Sequence, residues 1–254
     1  LKKEEKFANY SGSTDMGKLG IERYYEEQLH GTTGFEEVEI NNRGKVIRKL
    51  REQPATAGKS IHLTIDLALQ RYIMSLLSGQ KGAVVVLDPK DNSVLAMVST
   101  PSYDNNLFVD GISASDYKRL LDDPARPLYS RATQGVYPPA STVKPFVAVA
   151  ALTEGVITPH TTIFDPGYWM LPNSTKRFRD WKKSGHGYTD LNKAITESSD
   201  TFFYQTAFNL GIDRFSMWMK RFGFGMPTGI EIQEEAAANM PSKEWKQKRY
   251  KKPW

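Results

Sequence analysis

The sequence contains no cysteine and only four histidines among its 254 residues. The missing thiols exclude a disulfide framework, a thiolate zinc finger and a cysteine nucleophile. Long apolar runs are also missing, since nowhere do about 18 apolar residues follow one another as a membrane span requires. The stretch Leu1–Lys6 lacks the apolar core of a signal peptide. Disorder of the whole chain is excluded, because 39% of the residues are apolar and can close a core.

Positive charge is concentrated at one place in the sequence. The formal net charge is +5, and the last fourteen residues account for all of it. Against Glu244 they contain six basic residues, which are Lys243, Lys246, Lys248, Arg249, Lys251 and Lys252. A protein that binds nucleic acid usually spreads basic residues over a face and places aromatic residues among them. We therefore interpret the run as a solvated segment and expect no nucleic-acid partner.

The pattern of apolar residues predicts an α+β fold in two parts. Residues 1–57 are mostly polar, with one helix expected over 20–29 and a hairpin over 35–47. The Pro- and Gly-containing segment 53–58 is typical of a linker, so we place a domain boundary after residue 57. Residues 58–254 have the composition of a compact domain, in which an antiparallel sheet is flanked by helices.

The second part has clear signals for individual elements. We expect a strand over 61–65, a helix from Asp66 to Leu77, a hairpin over 82–98, and helices over 141–154, 190–211 and 213–222. Asp66 is the expected N-cap of its helix, and Gly79 lies where that helix should have ended. The helix over 190–211 is expected to break near Ser198.

Two familiar motifs are incomplete or absent. Residues 12–18 match a phosphate-binding loop up to Lys18, but Leu19 stands where a Ser or Thr would hold magnesium, and no buried strand precedes the segment. The Gly-x-Ser-x-Gly elbow of the α/β-hydrolases does not occur. Nucleotide binding is therefore not indicated. A histidine-based triad stays open but has no motif to support it.

A lysine one helical turn after a serine is another way to activate a hydroxyl, because residues i and i+3 share a helix face. Ser-x-x-Lys occurs three times, starting at Ser78, Ser115 and Ser141. The first spans a helix end, where Gly79 breaks the geometry. The second opens a charged helix, where we interpret Ser115 as an N-cap.

The third Ser-x-x-Lys motif has a different setting. Ser141 follows a stiff loop with two prolines and opens a helix that is apolar on nearly every side, which predicts burial of the helix and a first turn that faces a cleft. The alternative is that Ser141 caps this helix, but Lys144 in the first turn opposes the helix dipole. We therefore predict that Ser141 is a nucleophile and that Lys144 accepts its proton.

A second polar pair lies at the expected helix break. Ser198 and Asp200 are two residues apart, so both side chains can turn the same way. The hydroxyl could relay a proton and the carboxylate could hold Lys144. Ser-x-Asp is also a common helix cap, so this pair alone leaves both interpretations open.

Taken together, the Ser-x-x-Lys motif at Ser141 and the Ser-x-Asp motif at Ser198 resemble the first two motifs of penicillin-interacting transpeptidases and serine β-lactamases. The pattern Gly-x-x-Gly-Ile-Glu-x-x-Tyr-Glu-x-x-Leu-x-Gly-x-x-Gly over residues 17–34 is similar to the non-catalytic pedestal of class B penicillin-binding proteins. The stretches 137–145 and 180–183 are most similar to the elongation-specific branch in Gram-negative rods. The resemblance covers essentially the whole chain.

This resemblance implies a fold and a reaction. The fold is the penicillin-binding and serine β-lactamase type of transpeptidase domain, preceded by part of a small β-rich pedestal. The reaction is acyl transfer, in which Ser141 attacks the bond between two terminal D-Ala residues of a peptidoglycan stem peptide and Lys144 takes its proton. Ser198 relays a proton to the leaving D-Ala, and Asp200 positions Lys144. The product is a 4,3 cross-link of the elongating wall, and β-lactams acylate Ser141.

The resemblance also implies a location and partners. We expect the periplasmic face of the inner membrane, a polytopic membrane glycosyltransferase and scaffold proteins of the elongation complex. Two features depart from the family pattern, because the third motif, Lys-Thr/Ser-Gly, and the membrane anchor are both missing from this sequence. Both gaps predict that the chain is a fragment. Alternative functions are a D,D-carboxypeptidase or β-lactamase of the same fold, or a non-catalytic β-lactam sensor or scaffold.

A metal site is a further possibility. Asp165, Asp180 and His186 are ligands that zinc accepts, although an aspartate before a turn or beside basic residues is also ordinary. The resemblance implies a structural zinc ion on these three residues. Some relatives complete the tetrahedron with a cysteine where this chain has Ser199, so we expect water as the fourth ligand and a lower affinity. No organic cofactor is expected.

Overall fold

The computed structural model describes residues 9–10, 15–109 and 111–254. Its contacts divide the chain into two compact units, one of residues 1–135 with 229–236 and one of residues 136–228 with 237–254. Both units combine helices with two-stranded antiparallel sheets, so the predicted α+β class is confirmed. Leu1–Lys6 and residues 12–14 of the phosphate-loop-like segment lie outside the described residues. The domain boundary after residue 57 stays a prediction.

The first unit contains the helices and strands of the N-terminal half. They are α1 (Gly20–Tyr24), α2 (Glu26–Leu29), β1 (Phe35–Ile40), β2 (Val46–Gln53), α3 (Leu67–Leu76), β3 (Gly82–Leu87), β4 (Val94–Thr100), a 3₁₀ turn (Asn105–Phe108), α4 (Ala114–Asp122) and α5 (Arg131–Gln134). Strand β1 pairs with β2, and β3 pairs with β4. The single helix predicted over 20–29 is wrong, because the backbone leaves the helical region at Tyr25.

The β3–β4 hairpin and α3 form a small core in which Ile73, Ala96 and Val98 are buried. As predicted, the Asp66 carboxylate caps α3 and accepts the Leu69 N–H at 3.0 Å. The strand predicted over 61–65 is wrong. That segment lies beside β4 without forming a ladder of main-chain hydrogen bonds with it. The Thr64 hydroxyl donates to one β4 carbonyl, and the N–H of Asp66, just after the segment, donates to another.

Helix α4 begins at Ala114 and corrects the interpretation of Ser115 as an N-cap. Ser113 is the cap, and its hydroxyl accepts the Asp116 N–H at 3.1 Å. The same hydroxyl donates to the Asp116 carboxylate at 2.7 Å, so the two residues satisfy each other. Ser115 lies inside the first turn, with its Oγ 3.0 Å from Ser113 Oγ.

The second unit contains the remaining elements. They are a 3₁₀ turn (Ala140–Val143), α6 (Lys144–Thr153), β5 (Ile163–Asp165), β6 (Tyr168–Met170), β7 (Arg177–Arg179), β8 (Gly187–Thr189), α7 (Leu191–Thr196), α8 (Asp200–Leu210), α9 (Ile212–Arg221) and α10 (Lys243–Tyr250). Strand β5 pairs with β8, and β6 pairs with β7 between them. We call these two nested hairpins, residues 163–189, the excursion. The predicted helix over 190–211 breaks at Ser198, as expected.

Helix α6 supports the core of the second unit. Val147 and Ala151 pack with Phe202 and Phe203 of α8 and with Met219 of α9. Alanines at the contact let the helix axes come close, and the aromatic rings fill the remaining space.

The prediction that α6 is buried on nearly every side is wrong. Phe146 and Val149 are 37% and 47% exposed. Within the described part of the chain, α6 packs against α7, α8 and α9, and these helices leave its remaining face open. In that same part, no helix is both long enough and apolar enough to cross a membrane.

Candidate active site

Ser141 lies in the tight turn that precedes α6. Prolines 138 and 139 lead into it, and Ala140 has a positive φ of 49°, a conformation that L-residues adopt at a cost. The turn continues directly into α6 at Lys144, and Ser141 caps neither element. Its side chain is exposed just before the start of α6, and its Oγ lies 2.8 Å from Ser198 Oγ.

Lys144 is the buried centre of the site. Its ammonium group donates to three acceptors, which are the Ser198 carbonyl at 2.7 Å, Ser198 Oγ at 3.1 Å and Asp200 Oδ1 at 2.7 Å. The lysine side chain is only 9% exposed, and the Asp200 carboxylate compensates its charge. All three N–H groups of the ammonium therefore have partners.

Ser198 occupies the break between α7 and α8. Its φ of 55° is in the left-handed region, which reverses the chain and turns both its carbonyl and its hydroxyl toward Lys144. Its Oγ donates to Ser141 Oγ. The structure thus brings together the four residues predicted as catalytic, in the order Asp200, Lys144, Ser198, Ser141.

The other two Ser-x-x-Lys motifs do not join their serine to their lysine. Lys81 donates to the Pro124 carbonyl, and Lys118 pairs with Asp122 on the exposed face of α4. Of the three motifs, only that of Ser141 connects its serine and its lysine through one hydroxyl, because Ser198 Oγ accepts from Lys144 and donates to Ser141 Oγ.

The three predicted metal ligands form a second buried cluster. Asp165 ends β5, Asp180 follows β7 and His186 precedes β8, so the nested hairpins of the excursion bring them together. One ligand atom from each residue lies within 4.8 Å of the other two, and all three side chains are buried. Ser199, at the N-terminus of α8, donates to Asp165 at 3.0 Å and lies 3.3 Å from Asp180.

The Asp180 carboxylate also anchors the start of α8. Its Oδ2 accepts the N–H groups of Asp200 at 2.7 Å and Thr201 at 3.0 Å. Burial by itself raises the pKa of Asp180, but these N–H groups, that of Lys182 and the contact with Asp165 outweigh burial and lower the pKa to about 2. Asp180 is therefore an anion that connects the metal-ligand cluster to the helix of Asp200.

The geometry of His186 tests whether the cluster suits a cation. Nδ1 lies 2.7 Å from Glu197 Oε2, and Nε2 lies 3.2 Å from Asp180 Oδ1. A neutral imidazole has one N–H, so one of these contacts sets a lone pair against a carboxylate unless a second proton or a cation lies there. Two carboxylates and one imidazole are a donor set that zinc accepts. The residues present therefore fit a divalent cation.

Two residues at the site had no role in the sequence prediction. Glu197 precedes Ser198 and contacts His186, and Trp181 follows Asp180. The Trp181 main-chain N–H is 3.3 Å from Asp200 Oδ2, and its indole N–H donates to the Glu197 carbonyl at 3.1 Å. Each is adjacent in sequence to a predicted residue, but only the fold shows that they contact one another.

Comparisons with known proteins point to one family. The model of the penicillin binding protein transpeptidase domain matches residues 82–252, and that of the penicillin-binding protein dimerisation domain matches residues 1–63. The chain is 84% identical to the peptidoglycan D,D-transpeptidase MrdA of Haemophilus influenzae over 100% of its own length and 39% of the relative. It is 64% identical to MrdA of Escherichia coli K12, over 100% of its length and 40% of the relative.

Solved structures give the same result. Pseudomonas aeruginosa PBP2 in complex with WCK 5153 matches with a TM-score of 0.85 and 47% identity, over 97% of this chain and 51% of that one. The complex between PBP2 and MreC from Helicobacter pylori matches with a TM-score of 0.88 and 33% identity, over 100% and 47%.

The chain spans about two fifths of the length of these curated relatives. The family model nevertheless covers most of the chain and includes all four residues of the Ser141 site. The family resemblance inferred from the sequence is confirmed, and this chain belongs to the penicillin-binding protein transpeptidase family.

Proposed function

We propose that this chain is part of a peptidoglycan D,D-transpeptidase that forms 4,3 cross-links during elongation of the lateral wall. The observation that carries the proposal is the continuous set of hydrogen bonds from Asp200 through Lys144 and Ser198 to Ser141. A buried amine and a relay hydroxyl beside an exposed serine are the components that acyl transfer requires.

In the first half of the reaction, Ser141 Oγ attacks the carbonyl between the two terminal D-Ala residues of a stem peptide. Lys144 first releases one proton to water, and as a neutral amine it then takes the Ser141 proton through Ser198 Oγ, which contacts both groups. The Ser141 backbone N–H provides part of an oxyanion hole. The C–N bond then breaks, Ser198 delivers a proton to the leaving amine, and D-Ala departs from an acyl-enzyme.

In the second half, the amine of a neighbouring stem peptide attacks the ester and closes the cross-link, and Ser141 recovers its proton. A β-lactam carbonyl takes the place of the D-Ala–D-Ala carbonyl and acylates the same hydroxyl. Water as the acceptor would make the same site a D,D-carboxypeptidase or β-lactamase, and an acyl-enzyme without turnover would make it a sensor or scaffold. The transpeptidase names of the relatives support the first reading.

We also propose that Asp165, Asp180 and His186 hold a structural zinc ion. The burial of all three side chains and the distances of at most 4.8 Å between their ligand atoms support this. Bound zinc would neutralise charge in the cluster and tie the excursion to the start of α8. Elemental analysis of protein purified without chelator tests the site, and a stoichiometry near zero would contradict it.

The proposed location is the periplasmic face of the inner membrane, and the proposed partners are a membrane glycosyltransferase and elongation scaffold proteins. One similar structure is a PBP2–MreC complex. Another, with 34% identity and a TM-score of 0.79, belongs to work on a peptidoglycan synthase complex that coordinates polymerization and crosslinking. These relatives support the same class of partner for this protein.

The decisive test uses the protein extended to the full length of its relatives. Fluorescent penicillin should label Ser141, and peptide mapping by mass spectrometry should find no adduct on Ser78 or Ser115. Ser141→Ala should abolish labelling while the fold is kept, since Ser141 caps no helix. An adduct on either of the other serines would contradict the assignment. Products from lipid-linked substrate separate the functions, because cross-linked peptides indicate a transpeptidase and free D-Ala alone a carboxypeptidase.

A further inference from the structure

Glu197 joins the excursion to the residue that precedes Ser198. Its carboxylate Oε2 lies 2.7 Å from His186 Nδ1, and its carbonyl accepts the Trp181 indole N–H at 3.1 Å. His186 and Trp181 both belong to the excursion, on either side of its Gly185 turn. One residue therefore holds the excursion at two points, one through its side chain and one through its backbone.

The contact with His186 differs from an ordinary surface pair. The His186 side chain has no exposed surface, whereas the Glu197 side chain is 39% exposed at the edge of the cluster. Lys182 Nζ is 3.9 Å from Glu197, beyond hydrogen-bond distance. The imidazole is thus the close partner of the Glu197 carboxylate.

We propose that Glu197 is a positioning residue that orients His186 for metal binding and couples that cluster to the Ser198 turn. The carboxylate accepts the Nδ1–H of His186, which fixes the tautomer and leaves the Nε2 lone pair facing Asp180 and Asp165. The proposal rests on the proposed zinc site for its ligand, while the orientation of the ring is a property of the chain itself.

Coupling follows from the position of Glu197 in the chain. It is the C-cap of α7 and is joined by one peptide bond to Ser198, whose left-handed φ aims two acceptors at Lys144. A change in the His186 ring would therefore be transmitted to Ser198 through a single residue. The Glu197 side chain touches neither Lys144 nor Ser141 and acts on them only indirectly.

The test compares Glu197→Ala and Glu197→Gln with Glu154→Ala. Glu154 is a matched control in the same unit, because its side chain is 26% exposed and accepts an indole N–H, that of Trp218, at 2.8 Å. Zinc affinity is measured by competition with a chromophoric chelator, and the His186 tautomer by nitrogen-15 NMR of the ring. Acylation by fluorescent penicillin is measured in the protein extended to the length of its relatives.

Loss of an orienting partner of a metal-bound histidine weakens metal binding by roughly 10- to 100-fold. We expect this for Glu197→Ala, together with loss of the Nδ1–H tautomer and slower acylation that excess zinc restores. Glu197→Gln, whose amide oxygen still accepts a hydrogen bond, should give intermediate values. Glu154→Ala should leave all three measurements unchanged apart from a lower stability.

An unchanged tautomer in Glu197→Ala would overturn the proposal, as would a zinc affinity equal to the wild-type value. If the wild type binds no zinc, the metal site fails, and the tautomer alone decides the role of Glu197. If the wild type is not acylated, the catalytic proposal fails, and the zinc and tautomer measurements still decide whether Glu197 orients His186.

Discussion

At the scale of single residues, the site depends on how the charge of Lys144 is compensated. Its ammonium lies in a nearly closed environment, and among the described residues its anionic contact is Asp200, at 2.7 Å. The remaining acceptors, both on Ser198, are neutral dipoles. The carboxylate is therefore the group whose loss would disturb the amine most.

Asp200→Asn should slow acylation by β-lactams while it leaves the fold in place. The amide keeps the size of the side chain but removes the charge that holds the Lys144 amine, an effect on the order of 3 kcal/mol, or about a hundredfold in rate. Asp213→Asn is the matched control, because Asp213 also pairs with a lysine but is 69% exposed. Acylation within about twofold of wild type would reduce Asp200 to a helix-terminal residue.

Tyr25 gives a pH-dependent prediction in the first unit. The hydrogen bond to Glu231 raises the pKa of Tyr25 to about 12 from the usual 10.0. Because the folded pKa is the higher one, the contribution of this group to stability is complete below pH 10 and is lost as the pH rises through 12. Glu231→Gln should shift the ultraviolet titration of one tyrosine downward.

The control for Tyr25 is Glu234→Gln. Glu234 lies in the same segment but accepts from the Gly20 N–H and pairs with Arg23. The tyrosine titration of this variant should match the wild type. A titration that does not change in Glu231→Gln would show that another group sets the pKa of Tyr25.

At the scale of elements, the sequence predicted the cap of α3 and the break before α8, but it misplaced the cap of α4 at Ser115 and missed the break at Tyr25. Asp66 at the start of α3 and the break at Ser198 follow from local hydrogen bonding, which a few neighbouring residues determine. The strand over 61–65 failed because pairing depends on a distant partner strand, and alternation alone does not supply one. The prediction that α6 is buried failed for a similar reason, because composition does not say which neighbours pack against a helix.

The residues of the site also differ in how far the sequence could predict their contacts. The Ser141 and Ser198 motifs each have a recognisable local spacing, and it was their resemblance to the first two family motifs that implied joint action of the two hydroxyls. The contacts of Glu197 with His186 and Trp181 depend on how the excursion folds back onto α7 and α8. No spacing rule links residues 181, 186 and 197, so these contacts could not be predicted.

Gly185 tests the packing of the excursion. Its φ is +74°, and a Cβ there would lie 2.2 Å from the Asp165 carbonyl oxygen and 2.5 Å from the Gly167 nitrogen. Gly185→Ala should therefore destabilise the protein through both strain and collision, and should weaken zinc binding because Asp165 must move. Urea unfolding measures the first effect, and chelator competition the second.

Gly223→Ala separates strain from collision. Gly223 also has a positive φ, +88°, but no atom lies within 4 Å of its added Cβ. We expect a loss of roughly 1–2 kcal/mol from strain alone and no change in zinc affinity. Equal losses in the two alanine variants would mean that the close approach at Gly185 is not a tight contact.

At the scale of the whole molecule, the proposed zinc ion should stabilise the folded protein, because it binds the folded state and not the unfolded chain. At a free zinc concentration of about 100 times its Kd, binding adds about 2.7 kcal/mol to the free energy of unfolding. For a domain of roughly 150–250 residues this raises Tm by roughly 5–10 °C. Scanning calorimetry with and without zinc measures the shift.

His186→Ala should remove the zinc-dependent rise in Tm. The control is His160→Ala, because His160 is exposed in the same unit and belongs to no cluster of metal ligands among the described residues. A rise of the same size in His186→Ala would show that zinc binds elsewhere. The absence of any rise in the wild type would reduce Asp165 and Asp180 to residues that order turns.

The row of hydrogen bonds at Lys144 has a direction as well as a length. An ammonium only donates, so Ser198 Oγ accepts from Lys144 and passes its own hydrogen to Ser141 Oγ. The row is thus a proton wire polarised toward the nucleophile, whereas attack by Ser141 needs the opposite polarity. In the proposed mechanism, each cycle begins when Lys144 releases a proton to water. Both hydrogen bonds of the wire then reverse their direction, so that Ser141 donates to Ser198 and Ser198 donates to Lys144. The hydrogen bonds of the resting enzyme have the direction that suits protonation of the leaving amine. The free enzyme is therefore arranged for the later step of the reaction and not for the first.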